Sequence, residues 1–233
     1  MYRGQDIGDR DQLVATCIEI LRSGSEAERY KILPHVSVTR CKRFLDPLLE
    51  LLRSRSAQDK EFAALALGAL GDPAAIGPLF AVLQDTYIFS KGRNRSLEAA
   101  VILTLGEIGH EKAVALLLQV YGMRYLDEPS AHNRKVNVLS ALGLLAQQGS
   151  ESAVGELLSL AAQEVSDRQA QAVTELSVAY WHRAHQVPDT VLKMMYRMTG
   201  AGADDVRKAA VAALSTLANL GCRRAAGYFS APG

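Results

Sequence analysis

The chain has 233 residues, of which 48% are hydrophobic and 22% charged, a composition typical of one or two globular domains with a packed core. The formal net charge of +1 excludes a bulk electrostatic attraction to nucleic acid or anionic lipid, although a local basic patch remains compatible with it. The polar start MYRGQDIGDRDQ lacks a signal-peptide pattern, and no apolar run approaches the roughly 18 residues of a membrane span.

The cysteine pattern indicates a reducing compartment. Cys17, Cys41 and Cys222 are odd in number and far apart, and they form neither a CxxC pair nor a zinc-ligand spacing. Reduced thiols are the rule in the cytosol, so we expect three free cysteines and a cytoplasmic protein.

Helical periodicity runs through the chain from start to end, and no segment alternates with the period of a strand. Residues 12–24 predict a leading helix that caps the fold. Residues 25–37 and 42–54 predict a first helix pair, with Pro34 expected to kink its first member. Similar pairs follow at 64–83, 102–121 and 138–161, each with a turn after its first helix, and a divergent pair at 167–185 and 187–200. Residues 204–221 predict one more first helix. The last residues, 221–233, are too few for a full second helix.

Glycines punctuate these segments at a regular interval. Gly71, Gly109 and Gly149 recur about every 38 to 40 residues, and Gly221 falls two further steps on. A fixed period of this length is typical of a solenoid, in which each unit buries its apolar face on its neighbours. The sequence therefore predicts an all-α, right-handed α-α superhelix of about six helix pairs. Residues 1–24 form a tail and capping helix, and residues 25–233 form a single repeat domain.

The repeats resemble the HEAT repeat, in particular the short bacterial type named after phycobilisome lyases. That type begins its first helix with D-x-V-R and continues A-A-x-A-L-G-x-L-G-D-P, then A-V-P-A-L-x-x-L-L. Val206, Arg207, Ala209, Ala210 and Leu214 match the first part. The rest is matched by Leu67, Gly68, Leu70, Gly71, Asp72, Pro73, Ala75, Ile76, Pro78, Leu79 and Leu83. The resemblance implies an architecture more than a function, because such solenoids serve many roles.

Two consecutive connections between repeats are longer than the others. Most take 4 or 5 residues, whereas 11 separate Leu83 from Asn94 and 10 separate Tyr121 from Ala131. Equivalent connections of neighbouring repeats lie about 10 Å apart, the helix packing distance, so we expect the two enlarged loops to lie side by side. Both contain aromatic, Met and Arg residues, which are enriched at interface hot spots. The predicted partner-binding residues are Tyr87, Ile88, Phe89, Lys91, Arg93, Met123, Arg124, Tyr125 and Leu126.

A purely structural interpretation of these loops stays open. Tyr87, Ile88 and Phe89 could cover exposed helix ends, or pack with Tyr125 and Leu126 as a small satellite cluster. The two interpretations are compatible, since Arg93 and Arg124 would then remain outside the cluster.

The second helices are expected to line the concave surface, as they do in HEAT solenoids. The residues one step off the core stripe in the middle repeats are small and mostly uncharged: Gly77, Pro78, Ala81, Ala115, Leu116, Gly155 and Ser159. The end repeats carry charges there, namely Arg43, Asp46 and Glu50 in front and Lys193 and Arg197 behind. Such a surface would suit a helix or an extended peptide, although small residues could equally serve tight helix packing.

No catalytic motif is present in the sequence. His182 and His185 share a spacing that allows metal binding, but a solvated helix end explains them without a third ligand, so we predict no metal and no cofactor. Basic clusters at Arg40, Lys42 and Arg43, and at Arg223 and Arg224, suit helix termini better than a phosphate site.

Three functions are compatible with these sequence features. The first is a non-catalytic scaffold that binds a protein partner. The second, suggested by the name of the repeat type, is a bilin lyase-like subunit or chromophore-handling chaperone. The third is DNA-base excision, since one family of alkylpurine glycosylases is a HEAT-like solenoid; a single tryptophan, Trp181, and a net charge of +1 argue against it. The sequence favours the scaffold.

Overall fold

The computed structural model describes residues 5–90, 95–123, 128–163, 166–200 and 203–230. Over these residues every regular element is an α-helix or a short 3-10 helix, which confirms the predicted all-α class. Helix α1 (Gln5–Ser23) precedes the repeats, as expected for a leading helix. No helix in the described part of the chain combines the length and the apolar character needed to cross a membrane.

Within the described ranges six helix pairs follow α1 in chain order, in agreement with the predicted repeat count. Short 3-10 helices precede the second helix in three of them: Lys42–Phe44, Pro73–Ala75 and Trp181–Gln186. The pairs are α2 (Glu26–Thr39) with α3 (Leu45–Leu52), α4 (Ala57–Leu70) with α5 (Ile76–Ser90), α6 (Arg95–Glu107) with α7 (Lys112–Gly122), α8 (Glu128–Gln147) with α9 (Glu151–Gln163), α10 (Ser166–Ala179) with α11 (Asp189–Gly200), and α12 (Asp204–Asn219) with α13 (Arg223–Ser230).

The turns inside the pairs depend on glycine. Gly71, Gly109, Gly149 and Gly221 all have positive φ, between 71° and 100°, a conformation that costs an L side chain energy but glycine almost none. At Gly71 the backbone N–H also closes α4 by donating to the Leu67 carbonyl at 3.0 Å. This left-handed C-terminal residue explains why the glycine period marks the repeats.

Side chains at several helix starts accept hydrogen bonds from N–H groups of the first turn. Ser25 caps α2 through a complete capping box, in which its Oγ accepts from the Glu28 N–H and the Glu28 carboxylate accepts from the Ser25 N–H. The Asp72 side chain accepts from the Ala74 N–H at 2.9 Å, and Ser150 Oγ accepts from the Ala153 N–H at 3.0 Å. Helix α2 continues through Pro34 to Thr39.

The chain divides into two compact units, residues 1–108 with 125–130, and residues 109–124 with 131–233. In the first unit the first helices stack in succession, α2 on α4 and α4 on α6, while the second helices α3 and α5 also touch. Phe44, Phe62, Leu67 and Leu79 are fully buried between them. The buried Thr104 hydroxyl donates to the Ala64 carbonyl at 3.2 Å and so ties α6 to α4.

The second unit repeats the same scheme. Helix α10 packs against α9 and α12, and α11 packs against α12. Gly143 allows the close approach of Glu175, because a Cβ added there would lie 3.2 Å from the Glu175 Cβ and 2.4 Å from Glu175 Oε2. Helix α13 has eight residues and supplies a short second helix for the last pair, where the sequence had predicted too few residues for a full one.

Candidate protein-binding groove

The residues predicted to lie one step off the buried stripe of the second helices are accessible in both units. Gly77, Ala81, Ala115 and Gly155 are exposed, and Pro78, Leu116 and Ser159 are half-buried. The charged positions expected at the two ends, Arg43, Asp46, Glu50, Lys193 and Arg197, are exposed as well. The periodicity therefore separates buried from accessible second-helix positions correctly.

Packing does not require glycine at two of these accessible positions. A Cβ added at Gly77 or Gly155 would meet no described atom within 4 Å. Glycine inside a helix is unfavourable relative to alanine, so these residues cost stability without a packing reason. The interpretation that small residues here serve tight helix packing does not hold for these two.

A groove lies between α9 and α11 in the second unit, and we call it the α9–α11 groove. It consists of two cavities of about 410 Å³ each that share Thr190. The first, polar cavity is lined by Gly149, Ser150, Glu151, Val154, Gly155, Leu158, Tyr180, Arg183, Gln186, Pro188 and Thr190. The second, basic cavity is lined by Ala162, Thr190, Lys193, Met194, Arg197 and Met198.

The basic cavity takes its character from one face of α11. Lys193 and Arg197 stand four residues apart and are both exposed, while Met194 and Met198 beside them are half-buried. Residues four apart lie one above the other on a helix, so the two cations form one row and the two methionines form another. The cavity therefore offers positive charge next to an adaptable apolar surface.

Arg183 organises the wall of the polar cavity. Its backbone leaves helical geometry at φ −141° and ψ 42°, which turns the side chain toward the end of α8. There the guanidinium donates to the Ala146 carbonyl at 2.5 Å and lies 5.0 Å from the centre of the Tyr180 ring. A cation at a helix C-terminus is favourable, because the last carbonyls lack intrahelical donors.

Tyr180 is buried in this wall, and the burial raises the pKa of its phenol. The Arg183 guanidinium opposes that rise and the Glu151 carboxylate adds to it. The polar cavity therefore contains charges of both signs, whereas the two charged side chains that line the basic cavity, Lys193 and Arg197, are both cationic.

The predicted partner-binding residues are placed only in part. Thr86–Ser90 belong to α5, so the expectation that Tyr87, Ile88 and Phe89 lie in a loop is wrong. The reason is local: no glycine or proline follows Pro78 until Gly92, so nothing stops the helix earlier. The orientations of these three side chains, and the positions of Lys91, Arg93, Arg124, Tyr125 and Leu126, lie outside the described residues.

The second enlarged connection is also shorter than predicted, because the following helix begins earlier. Met123 follows α7 directly with an extended backbone, and α8 begins at Glu128 instead of near Ala131. Pro129 stands in the first turn of α8, where its missing N–H costs no hydrogen bond. Residues 84–90 of the first connection and 128–130 of the second thus belong to neighbouring helices.

The remaining candidate groups lie at helix ends. His182 and His185 are exposed in the 3-10 segment that follows α10. Over the described residues, no cluster of three His, Cys, Asp or Glu side chains is suited to a metal ion. Arg40 ends α2 and Arg224 bonds both Asp189 and the Val187 carbonyl, which fits the predicted helix-terminal roles. Cys17, Cys41 and Cys222 are free, as the sequence predicted.

The fold and the groove define an all-α protein built from consecutive helix pairs. The family model for HEAT repeats matches residues 45–128, which supports the predicted HEAT-repeat protein and its helical repeat scaffold. A search of curated proteins gives no match. Among solved structures, human deoxyhypusine hydroxylase in complex with glycerol is similar, with 15% sequence identity and a TM-score of 0.45 over 92% of this chain and 99% of that one.

Proposed function

We propose that this chain is a non-catalytic HEAT-repeat scaffold that binds a protein partner on the accessible faces of its second helices. The observation that carries the proposal is the α9–α11 groove, two adjoining cavities lined by charged, polar and apolar side chains. Grooves of this kind accept a helix or an extended segment, since anchors can enter pockets while the rim excludes water.

The accessible glycine at position 155 supports the same proposal. A glycine whose missing Cβ leaves open space allows a ligand backbone to approach the helix closely. Packing inside the repeat gives no reason for it, so recognition of a partner is the explanation that we propose.

A second proposed contact region comprises the residues around the two enlarged connections: Tyr87, Ile88, Phe89, Lys91, Arg93, Met123, Arg124, Tyr125 and Leu126. Its support is compositional, because aromatic, Met and Arg residues are enriched at protein–protein interfaces. We also propose that the repeats are of the short bacterial phycobilisome-lyase type and that the protein is cytoplasmic.

Filling the groove tests the scaffold function directly. The full chain is immobilised and used to capture proteins from an extract of its native cells, in parallel with Gly155→Gln and the control Ala212→Gln. Ala212 is exposed on α12, a first helix, and so matches the change in size and polarity away from the groove.

We expect a specific partner that the native chain and Ala212→Gln retain and Gly155→Gln loses. Retention by all three forms would place the binding elsewhere on the chain. The absence of any specific partner would contradict the scaffold function. Circular dichroism of each variant checks that the fold is intact.

A further inference from the structure

We propose that the α9–α11 groove selects an acidic segment of its partner, and that the segment's carboxylates lie over Lys193 and Arg197. This inference rests on the proposed scaffold function and adds the chemistry of the ligand. Four features of the second unit support it. They are a cationic pair without an ion-pair partner, an apolar surface beside it, a glycine with open space above it, and a carboxylate that determines the orientation of the ligand.

The cationic pair has no internal counter-charge. Over the described residues no ion pair joins Lys193 or Arg197 to a carboxylate, and Asp189, the one acidic residue of α11, bonds Arg224 instead. Two like charges four residues apart on a helix repel each other. A bound carboxylate would relieve that repulsion, and Arg can bind it through two parallel hydrogen bonds.

The apolar floor indicates that the ligand is more than a free anion. Met194 and Met198 line the same cavity as the two cations, and Val154 and Leu158 line the adjoining one. Methionine adapts its shape to different partners and is favoured at peptide-binding surfaces. A segment that combines acidic with apolar side chains satisfies both rows of α11 at once.

The open glycine stands at the position of α9 that corresponds to Lys193 on α11. The buried residues Leu157 and Met195 align the two helices, and Gly155 and Lys193 each lie two residues before them. At equivalent positions, α9 thus leaves space for a ligand backbone and α11 presents a positive charge. Ser159 and Arg197 correspond in the same way, so the arrangement extends over a full turn.

Glu151 determines which part of the ligand lies in which cavity. It lines the polar cavity, where it would repel an acidic side chain, while Arg183 in that cavity is already bonded to the Ala146 carbonyl. The acidic part of the segment therefore lies at the basic cavity, and an uncharged or apolar part lies over Gly155 and Leu158.

A random 12-residue peptide library displayed on phage provides the probe. The full chain is panned, and the Kd of the most enriched peptide is measured by fluorescence anisotropy on native chain and variants. Lys193→Glu/Arg197→Glu reverses the cationic pair. Lys112→Glu/Lys208→Glu is the matched control, since both of these lysines are exposed in the same unit and neither lines the groove.

We expect enrichment of Asp and Glu together with Leu, Met or Phe, a Kd at least tenfold weaker for Lys193→Glu/Arg197→Glu, and a change within about threefold for the control. A Glu→Gln version of the peptide should lose a similar factor, and added salt should weaken native binding. Thermal unfolding of each variant confirms that it is folded.

The contrary outcomes separate the two proposals. Neutral or basic enriched peptides, or equal losses in both double variants, would overturn the acidic-ligand inference and leave the scaffold function standing. Failure to enrich any peptide would count against both. Concentration-dependent dimers of the chain alone, abolished by Lys193→Glu/Arg197→Glu, would show that a second copy occupies the groove and would overturn the partner assignment.

Discussion

Replacing Gly155 with alanine should stabilise the protein. Glycine in a helix interior costs about 0.8–1.0 kcal/mol relative to alanine, because it loses more backbone freedom on folding. Gly155 lies inside α9 and is exposed, and a Cβ there meets no described atom within 4 Å, so no steric penalty offsets the gain. For a chain of this length, about 1 kcal/mol corresponds to a rise in melting temperature of roughly 2–4 °C.

Differential scanning calorimetry of the native chain, Gly155→Ala and Gly71→Ala measures this directly. Gly71 serves as the opposite control, since its φ of 71° should make the alanine variant lose about 1–2 kcal/mol. A melting temperature of Gly155→Ala at or below that of the native chain would refute the reasoning. It would mean that the surface at Gly155 is filled or that glycine has a conformational role there.

Three further predictions concern the core, a helix cap and the enlarged connections. Leu79 is fully buried, so Leu79→Ala should lower the free energy of unfolding by about 2–5 kcal/mol in urea titrations, and an unchanged midpoint would argue against its burial. The hydrogen bond from Ser25 holds the pKa of Glu28 below its ordinary value of 4.5. Ser25→Ala removes the N-cap of α2 and should cost about 1 kcal/mol. Because the pKa of Glu28 is lowered in the folded state, the part of this cost that depends on its carboxylate should be present at neutral pH and shrink as pH falls through the lowered pKa, whereas Glu28→Gln should flatten that dependence. Phe89→Ala or Tyr125→Ala should weaken partner binding by about 2 kcal/mol with the fold intact, and a lower melting temperature with unchanged affinity would indicate instead that these residues cover the repeats.

The repeat architecture could be predicted because its signals are local. The turn at Gly71 needs a positive φ that few residues adopt, and the start at Ser25 needs an oxygen within reach of the Glu28 N–H. Each of these conditions involves only residues close together in the chain, so it can be recognised in a single sequence. The end of α5 was predicted wrongly because repeat length was used, although no glycine or proline ends the helix before Ser90.

The groove could be predicted only in part. Lys193 and Arg197 were identified as accessible, since an amphipathic helix shows its outer face in its periodicity. Arg183 was missed, because its role depends on a non-helical backbone angle and on a carbonyl 37 residues away. Met194 and Met198 were missed as well, although their spacing of four beside two cations was a visible signal.

The second helices contain buried positions that the fold requires to be apolar and exposed positions that it does not constrain. The equivalent buried positions are occupied by similar apolar side chains, all fully buried: Leu48, Leu79, Leu117, Leu157 and Met195. Two residues before each of them the side chain changes from acidic to small to basic: Asp46, Gly77, Ala115, Gly155 and Lys193. All five of these positions are exposed, so packing cannot account for the change. The acidic ligand that we propose would account for the basic end of this series at Lys193, and the binding measurement on Lys193→Glu/Arg197→Glu tests that account.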